Sequence, residues 1–187
     1  MQDLITISRD YKKEADRLLK ETGLIEYLSV FGRVYFAGAY RYGLMMHGDV
    51  DIYVIRDDKY LIEEVFDIFK RLYFEDKFRS YFIGGDWDNL EGGKLIANGY
   101  YIGLKQKVKG EKWKFDIWFL AQSDFDNLPN KDYFRDKPMT DEQRKLILEC
   151  KQYRNIHKLS IGGQAIYELI TGGQCNSLED FKSILPK

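Results

Sequence analysis

Two aspartates one residue apart, Asp49 and Asp51, stand at the mouth of the apolar run Ile52-Tyr53-Val54-Ile55. Such a run favours a strand, and successive side chains of a strand point to opposite faces. Asp49 and Asp51 therefore share one face while Val50 and Ile52 take the other. Asp is disfavoured in strands, and gathering two like charges beside an apolar core is costly unless a cation compensates. A hard divalent ion is the simplest compensation, because Mg²⁺ takes oxygen ligands, one or two of them carboxylates, and leaves positions for water and substrate phosphates. Taken alone, the pair also fits a turn, Met46-His47-Gly48-Asp49, followed by a strand whose acids face solvent.

The surrounding sequence narrows this choice. Upstream, Gly32-Arg33-Val34-Tyr35-Phe36-Ala37-Gly38 is an apolar, aromatic strand candidate that runs into a glycine. Downstream, Lys112-Trp113-Lys114-Phe115-Asp116-Ile117-Trp118-Phe119-Leu120 alternates, with Phe115, Ile117 and Phe119 on one face and Lys114, Asp116 and Trp118 on the other. Asp116 is a candidate third ligand. A strand, a glycine turn with a short helix, an acid pair entering a second strand and an isolated acid in a third strand form one ordered constellation.

The segment from Phe36-Ala37-Gly38-Ala39-Tyr40-Arg41 through His47-Gly48-Asp49-Val50-Asp51-Ile52-Tyr53-Val54-Ile55 resembles the signature of the DNA polymerase beta-like nucleotidyltransferase superfamily, a Gly-Ser, a short helix and then Asp-x-Asp. The likeness runs over roughly residues 30 to 120. It implies that Asp49 and Asp51 are the metal-binding pair, that Asp116 is the third acid, and that Gly38 is the motif glycine. Gly38 and Ala39 then fall where backbone amides at a helix N-terminus hold the nucleotide phosphates, and Arg41, one turn into that helix, is either a phosphate contact or a surface arginine. The chain departs from the pattern at Ala39, where the family usually has serine. A hydrogen bond to phosphate is thereby lost, worth about 0.5 to 1.5 kcal/mol, or more with a charged acceptor.

The resemblance implies a Mg²⁺-dependent enzyme that transfers a nucleoside monophosphate from an NTP, with ATP the expected donor, to a hydroxyl on a small molecule, a protein or an RNA end. Asp49, Asp51 and Asp116 would hold two Mg²⁺ ions, about 3.5 to 4 Å apart in sites of this type, and Asp116 could take the acceptor's proton. Ala39 keeps open a catalytically silent nucleotide- or partner-binding module. By family analogy alone, an antitoxin-like partner of a separate toxin is a further class.

Composition limits the partners. Among 187 residues, 29 basic and 30 acidic side chains leave a net charge of −1, which argues against a general nucleic-acid coat while leaving local basic patches open. Only Cys150 and Cys175 are present, at separate helical positions and without a Cys/His cluster, so no zinc site is expected. The start lacks the pattern of a signal peptide and no run approaches the length of a membrane span, so a cytoplasmic protein without membrane partners is expected. The many aromatic residues could serve a core or a homodimer contact.

Periodicity gives an α/β (α+β) domain, with a mixed sheet of about four or five strands packed with helices and a helical extension after it. The expected division is a nucleotidyltransferase-like catalytic domain over 1–125 and a C-terminal helical extension over 138–187. Ser8 caps a helix from Arg9 to Glu21 that Gly23 ends, a turn covers Leu24 to Val30, and a helix starts at Asp57-Asp58 and runs to Phe74. Strands are expected at Arg79 to Ile83, Tyr100 to Lys107 and Lys112 to Leu120, the last two flanking a hairpin turn at Val108-Lys109-Gly110-Glu111. Between Gly84 and Gly99 lies a long loop that fits either a cover for the substrate or a flexible connector with two glycine turns. Asp124 to Pro138 is expected to be a polar linker. Thr140 with Gln143 forms a capping box for a helix to Leu159 whose inner stripe is Leu146, Ile147, Cys150, Tyr153 and His157. A helix over Gln164–Ile170 and one capped by Ser177 with Asp180 complete the chain. His47 is a turn residue or a support for the acids, and His157 a core histidine. The alternating Lys105, Lys107, Lys109, Lys112 and Lys114 fit a solvated face, edge protection, or a stripe that steers ATP or an RNA end.

Overall fold

Alternation along the acid-bearing strands decides how the sheet is covered. The computed structural model describes residues 3–84, 99–128, 134 and 138–185. Its strands are β1 (Arg33–Ala37), β2 (Gly48–Arg56), β3 (Ser80–Gly84), β4 (Tyr100–Val108) and β5 (Glu111–Ala121), in one mixed sheet of order β1-β2-β5-β4-β3. β2 and β5 run parallel, and the other neighbours are antiparallel. One face carries Val50, Ile52, Val54, Phe115, Ile117, Phe119, Ile102 and Leu104, all buried. Helices α1 (Leu4–Thr22), α2 (Leu24–Leu28) and α4 (Ile62–Phe74) pack on that face through Ala15, Leu18, Leu24, Leu28, Val65 and Ile68. Each fully buried Phe, Ile or Leu contributes ~1.5–3 kcal/mol by leaving water, and this layer fixes the register that the opposite, acid-bearing face inherits.

Helix α3 (Gly38–Tyr42) turns the chain from β1 into β2, and α5 (Gln122–Asp126) follows β5. Helices α6 (Asp141–Ile156), α7 (Gly163–Thr171) and α8 (Leu178–Ile184) close around a second core of Leu44, Ile147, Leu148, Ile166, Ile170 and Phe181. The α+β architecture with a five-stranded mixed sheet is the one expected. No helix of the described residues is long and apolar enough to cross a membrane.

Several boundaries differ from the sequence expectation. Helix α1 starts at Leu4 with Asp3 as its cap, accepting from the Thr6 amide at 3.3 Å, while Ser8 is buried inside it and donates to the Gly43 carbonyl at 2.8 Å. Leu24–Leu28 is a short helix rather than a turn, held down by buried Leu24 and Leu28. Helix α4 begins at Ile62 because Arg56 pins the carbonyls of Asp58 and Lys59 at 3.2 and 2.8 Å, and Glu64 then accepts from the Leu61 amide at 2.8 Å. Asp124 belongs to α5, whose buried Phe125 packs on Ile55 and Leu120, so the linker cannot begin there. Helix α6 ends at Ile156, and His157 is exposed beside Tyr153, not in a core. Cys175 lies between α7 and α8 rather than in a helix, and both cysteines are free and buried. Most of the Gly84–Gly99 loop, at 85–98, and 129–133 and 135–137 of the linker lie outside the described residues.

Candidate active site

The parallel register of β2 and β5 sets Asp51 opposite Asp116 and Asp49 opposite Lys114. Because those strands bury Val50, Ile52, Phe115 and Ile117 on the covered face, all three carboxylates emerge on the other one. One ligand oxygen from each of Asp49, Asp51 and Asp116 lies within 4.8 Å of the others. Sequence pattern alone put the acids on strand faces; the adjacency of β2 and β5 brings them together.

Gly38 makes room for this cluster. It has φ +58°, a left-handed conformation that side chains rarely adopt, and a Cβ there would overlap Oδ2 of Asp51. Ala37 is opposite Asp51 in the β1–β2 ladder, so the tight turn from β1 into α3 passes directly over that carboxylate. Ala39 is partly buried between the two cores, and no side chain caps the amides that open α3. Arg41 stacks on Tyr35, with its guanidinium 4.2 Å from the ring centroid. His47 is exposed in the bend before β2.

The three carboxylates are held unequally. Asp116, 9 % exposed, accepts from the Tyr101 hydroxyl at 2.5 Å and from the Lys114 ammonium. Gly103, opposite Asp116, lets Tyr101 lean across it, since a Cβ there would lie 2.5 Å from Tyr101 Oη. Burial and the bond to Asp116 push the Tyr101 hydroxyl well above the usual tyrosine range. Burial works against the Lys114 charge, but its bond to Asp116 and the nearby Asp49 hold its ammonium above the ordinary lysine range. Asp49 is different: its Oδ1 is buried with no hydrogen-bond partner among the described residues, and Lys114 Nζ stays 3.9 Å away. Burial raises the Asp49 carboxyl, with Asp116 adding and Lys114 opposing. Burial, reinforced by the Asp49 and Asp116 charges, pushes the Asp51 carboxyl up to about 7.

Lys151 was missed by the sequence reading. It is 3 % exposed on α6, donates to the Leu44 carbonyl at 2.5 Å and lies 3.3 Å from the Tyr167 hydroxyl. Burial, with Arg154 adding, pulls its ammonium down to about 8, against the Asp49 and Asp51 charges that favour the proton. The available signal was its spacing, four residues after buried Ile147 and three after buried Leu148, which puts a cation on an apolar helical stripe. Tyr101 and Lys114 were visible as strand residues, but their bonds to Asp116 depend on pairing that local sequence does not state.

Three carboxylates offering only oxygen, one of those oxygens buried and unsatisfied among the described residues, suit a hard divalent cation such as Mg²⁺. Among solved structures, the chain is similar to a GLD-2/RNP-8 complex at 15% identity, covering 97% of this chain and 68% of that one, with a TM-score of 0.56. It is also similar to a cytoplasmic RNA terminal U-transferase at 15% identity, 82% and 42% coverage and TM-score 0.49. A third match is a STING-associated CdnE c-di-GMP synthase from Capnocytophaga granulosa, at 14% identity, 89% and 62% coverage and TM-score 0.47. The chain thus spans between 42% and 68% of the length of these three structures. No protein-family model and no curated protein matches its sequence. The likeness is one of fold: the five-stranded mixed sheet and its helices have the nucleotidyltransferase arrangement.

Proposed function

We propose that the protein transfers a nucleoside monophosphate from an NTP, with ATP as donor, to a hydroxyl group of an acceptor. The observation that carries this reading is the convergence of Asp49, Asp51 and Asp116 around a buried carboxylate oxygen that has no hydrogen-bond partner among the described residues. Leaving such an acceptor unsatisfied costs ~1–3 kcal/mol, more for a charged group, and a divalent cation removes that cost. Asp49 and Asp51, with Asp116, would hold Mg²⁺. When bound, the metal supplies Lewis-acid neutralisation of the triphosphate and eases ionisation of the acceptor hydroxyl.

The chain's own groups divide the remaining work. In the transfer, the acceptor oxygen forms a bond to the α-phosphorus, the bond to pyrophosphate breaks, and the acceptor's proton passes to Asp116. Tyr101 and Lys114 fix the Asp116 carboxylate through one bond to each oxygen. Lys151 presents a buried cation on the flank of the acids formed by Leu44 and α6, where a triphosphate needs positive charge. Gly38 and Ala39 offer backbone amides, and Arg41 a guanidinium, to the same phosphates.

Incubation with α-labelled ATP, Mg²⁺ and a panel of hydroxyl acceptors tests the reading. Label should enter an acceptor with release of pyrophosphate, and the Asp49→Ala/Asp51→Ala protein should give none. Equal signal from both proteins contradicts it. Ala39 favours a second reading, a catalytically silent nucleotide- or partner-binding module. Under that reading the protein retains Mg²⁺-dependent ATP binding but transfers no label, and Ala39→Ser does not restore transfer.

A further inference from the structure

One hydroxyl of the chain itself stands where an acceptor's would. Tyr101 Oη donates to Asp116 Oδ1 at 2.5 Å, and Asp116 is the carboxylate assigned above to take the acceptor's proton. The Lys114 ammonium holds the other oxygen, Oδ2, so Oδ1 is the one open to a hydroxyl, and Tyr101 is on it. A hydroxyl within hydrogen-bond reach of a general base meets the first requirement of an activated nucleophile.

Three features of the sheet put the hydroxyl there. Register sets Tyr101 opposite Trp118 and sets Gly103, two residues on, opposite Asp116. Strand side chains stand roughly perpendicular to the sheet and lean along the strand; Tyr101 leans so far that its phenol lies above Gly103. A Cβ at position 103 would come within 2.5 Å of Oη, 3.0 Å of Cζ and 3.1 Å of Cε1, so the glycine is the seat of the phenol. The rings of Phe82 and Trp118 flank it, with centroids 5.7 and 5.0 Å away. A glycine inside a strand weakens it and marks a place where another group must approach closely. Holding Asp116 still does not require that weakness, since Lys114, two residues earlier on the same strand, already bonds the carboxylate. Tyr101 is only half-buried and Phe82 beside it is 53 % exposed, so a nucleotide can reach the hydroxyl from solvent.

Resting on the proposed transfer reaction, we infer that Tyr101 is a self-modification site. Its Oη forms a bond to the α-phosphorus of an NTP, the bond from that phosphorus to pyrophosphate breaks, and the phenolic proton passes to Asp116. The products are the nucleoside monophosphate ester of Tyr101 and free pyrophosphate, and no external acceptor takes part. The test has one arm without nucleotide and one with it. In EDTA, the full chain carrying isotope-labelled tyrosine gives the Tyr101 ring resonances by nuclear magnetic resonance, identified by their loss in Tyr101→Phe. They should move in Asp116→Asn and in Gly103→Ala; resonances unmoved by either substitution overturn the inference. With ATP and Mg²⁺ and no acceptor, the intact mass of the wild type should rise by one adenylyl group, which peptide mass spectrometry should find on Tyr101. Tyr101→Phe, folded by circular dichroism, should gain none. Gly103→Ala keeps the hydroxyl but displaces it from Asp116, so its rate of labelling should fall about tenfold or more. Adenylyl on another residue, equal labelling of Tyr101→Phe, or Gly103→Ala labelled at the wild-type rate overturns the inference. The two readings fail separately: a wild type that stays unmodified yet transfers label to an added hydroxyl acceptor indicts this inference alone, whereas one that binds Mn²⁺ but labels neither itself nor any acceptor indicts the transfer reading with it.

Discussion

Gly38 holds φ +58° where a Cβ would lie 2.0 Å from Asp51 Oδ2, so an alanine there meets a strained backbone and an overlapping carboxylate together. The left-handed conformation alone costs ~1–2 kcal/mol. Gly38→Ala should therefore lower unfolding free energy by at least about that amount and abolish divalent-cation binding with it; a variant that binds Mn²⁺ normally would show that Asp51 is not held by this contact. Asp51 makes the opposite case. Its buried carboxylate faces Asp49 and Asp116, so without cations Asp51→Asn should raise Tm while eliminating transfer. A gain of ~1 kcal/mol corresponds to about 2–4 °C for a chain of this size, and calorimetry in EDTA reads it; a lower Tm contradicts the repulsion. Lys151 makes a pH-dependent contribution. Its pKa falls from 10.5 in the unfolded chain to about 8 in the fold, so across that window the unfolded chain holds the proton that the folded one releases. Stability contributed by Lys151 rises with pH there. Denaturant unfolding of wild type and Lys151→Met at about pH 7.5 and 9.5, either side of most of that titration, should show the wild type gaining on the variant. Parallel changes would refute the shift. Of these residues, Gly38 and the acids were legible because their types are improbable where they occur. Lys151 was not, since its partner Leu44 is 107 positions away in sequence.

Elements whose ends are set by local chemistry could be read from the sequence. Thr140 and Gln143 form both bonds of their capping box, at 3.2 and 3.0 Å, and Ser177 accepts from the Asp180 amide at 3.1 Å. Lys109 and Gly110 both take positive φ, 51° and 90°, in a two-residue hairpin turn. Elements set by distant contacts could not be read. Ser8 has the chemistry of a helix cap, but its hydroxyl serves a carbonyl 35 positions away, and Asp3 takes the cap. The start of α4 depends on Arg56 holding two carbonyls, which no helical period reports. The link between α3 and α6 is of the same kind. Arg144 donates to the carbonyls of Tyr42 and Gly43 at 2.8 and 3.2 Å, tying the end of the proposed phosphate-binding turn to the C-terminal helices. Arg144→Ala should cost about 1.5–3 kcal/mol or less, since the pair is only partly buried. In transfer assays it should raise KM for the NTP more than it lowers kcat. A change in kcat alone would mean that α6 does not help place the phosphates.

At the scale of the molecule, one feature of topology gathers the site: β5, far along the chain, inserts parallel to β2 instead of leaving β2 at an edge. Alternation gave the face of each acid, but strand order is a property of the whole core and is not written in either strand. The same insertion sets the lysine-bearing hairpin beside the acids. Mn²⁺ titration followed by electron paramagnetic resonance tests the cation site most directly. The wild type should remove the free-ion signal saturably, Mg²⁺ should restore it by competition, and Asp49→Ala/Asp51→Ala should leave it untouched. The account is contradicted if wild type and variant deplete the signal alike, or if neither depletes it in the presence of a non-hydrolysable NTP.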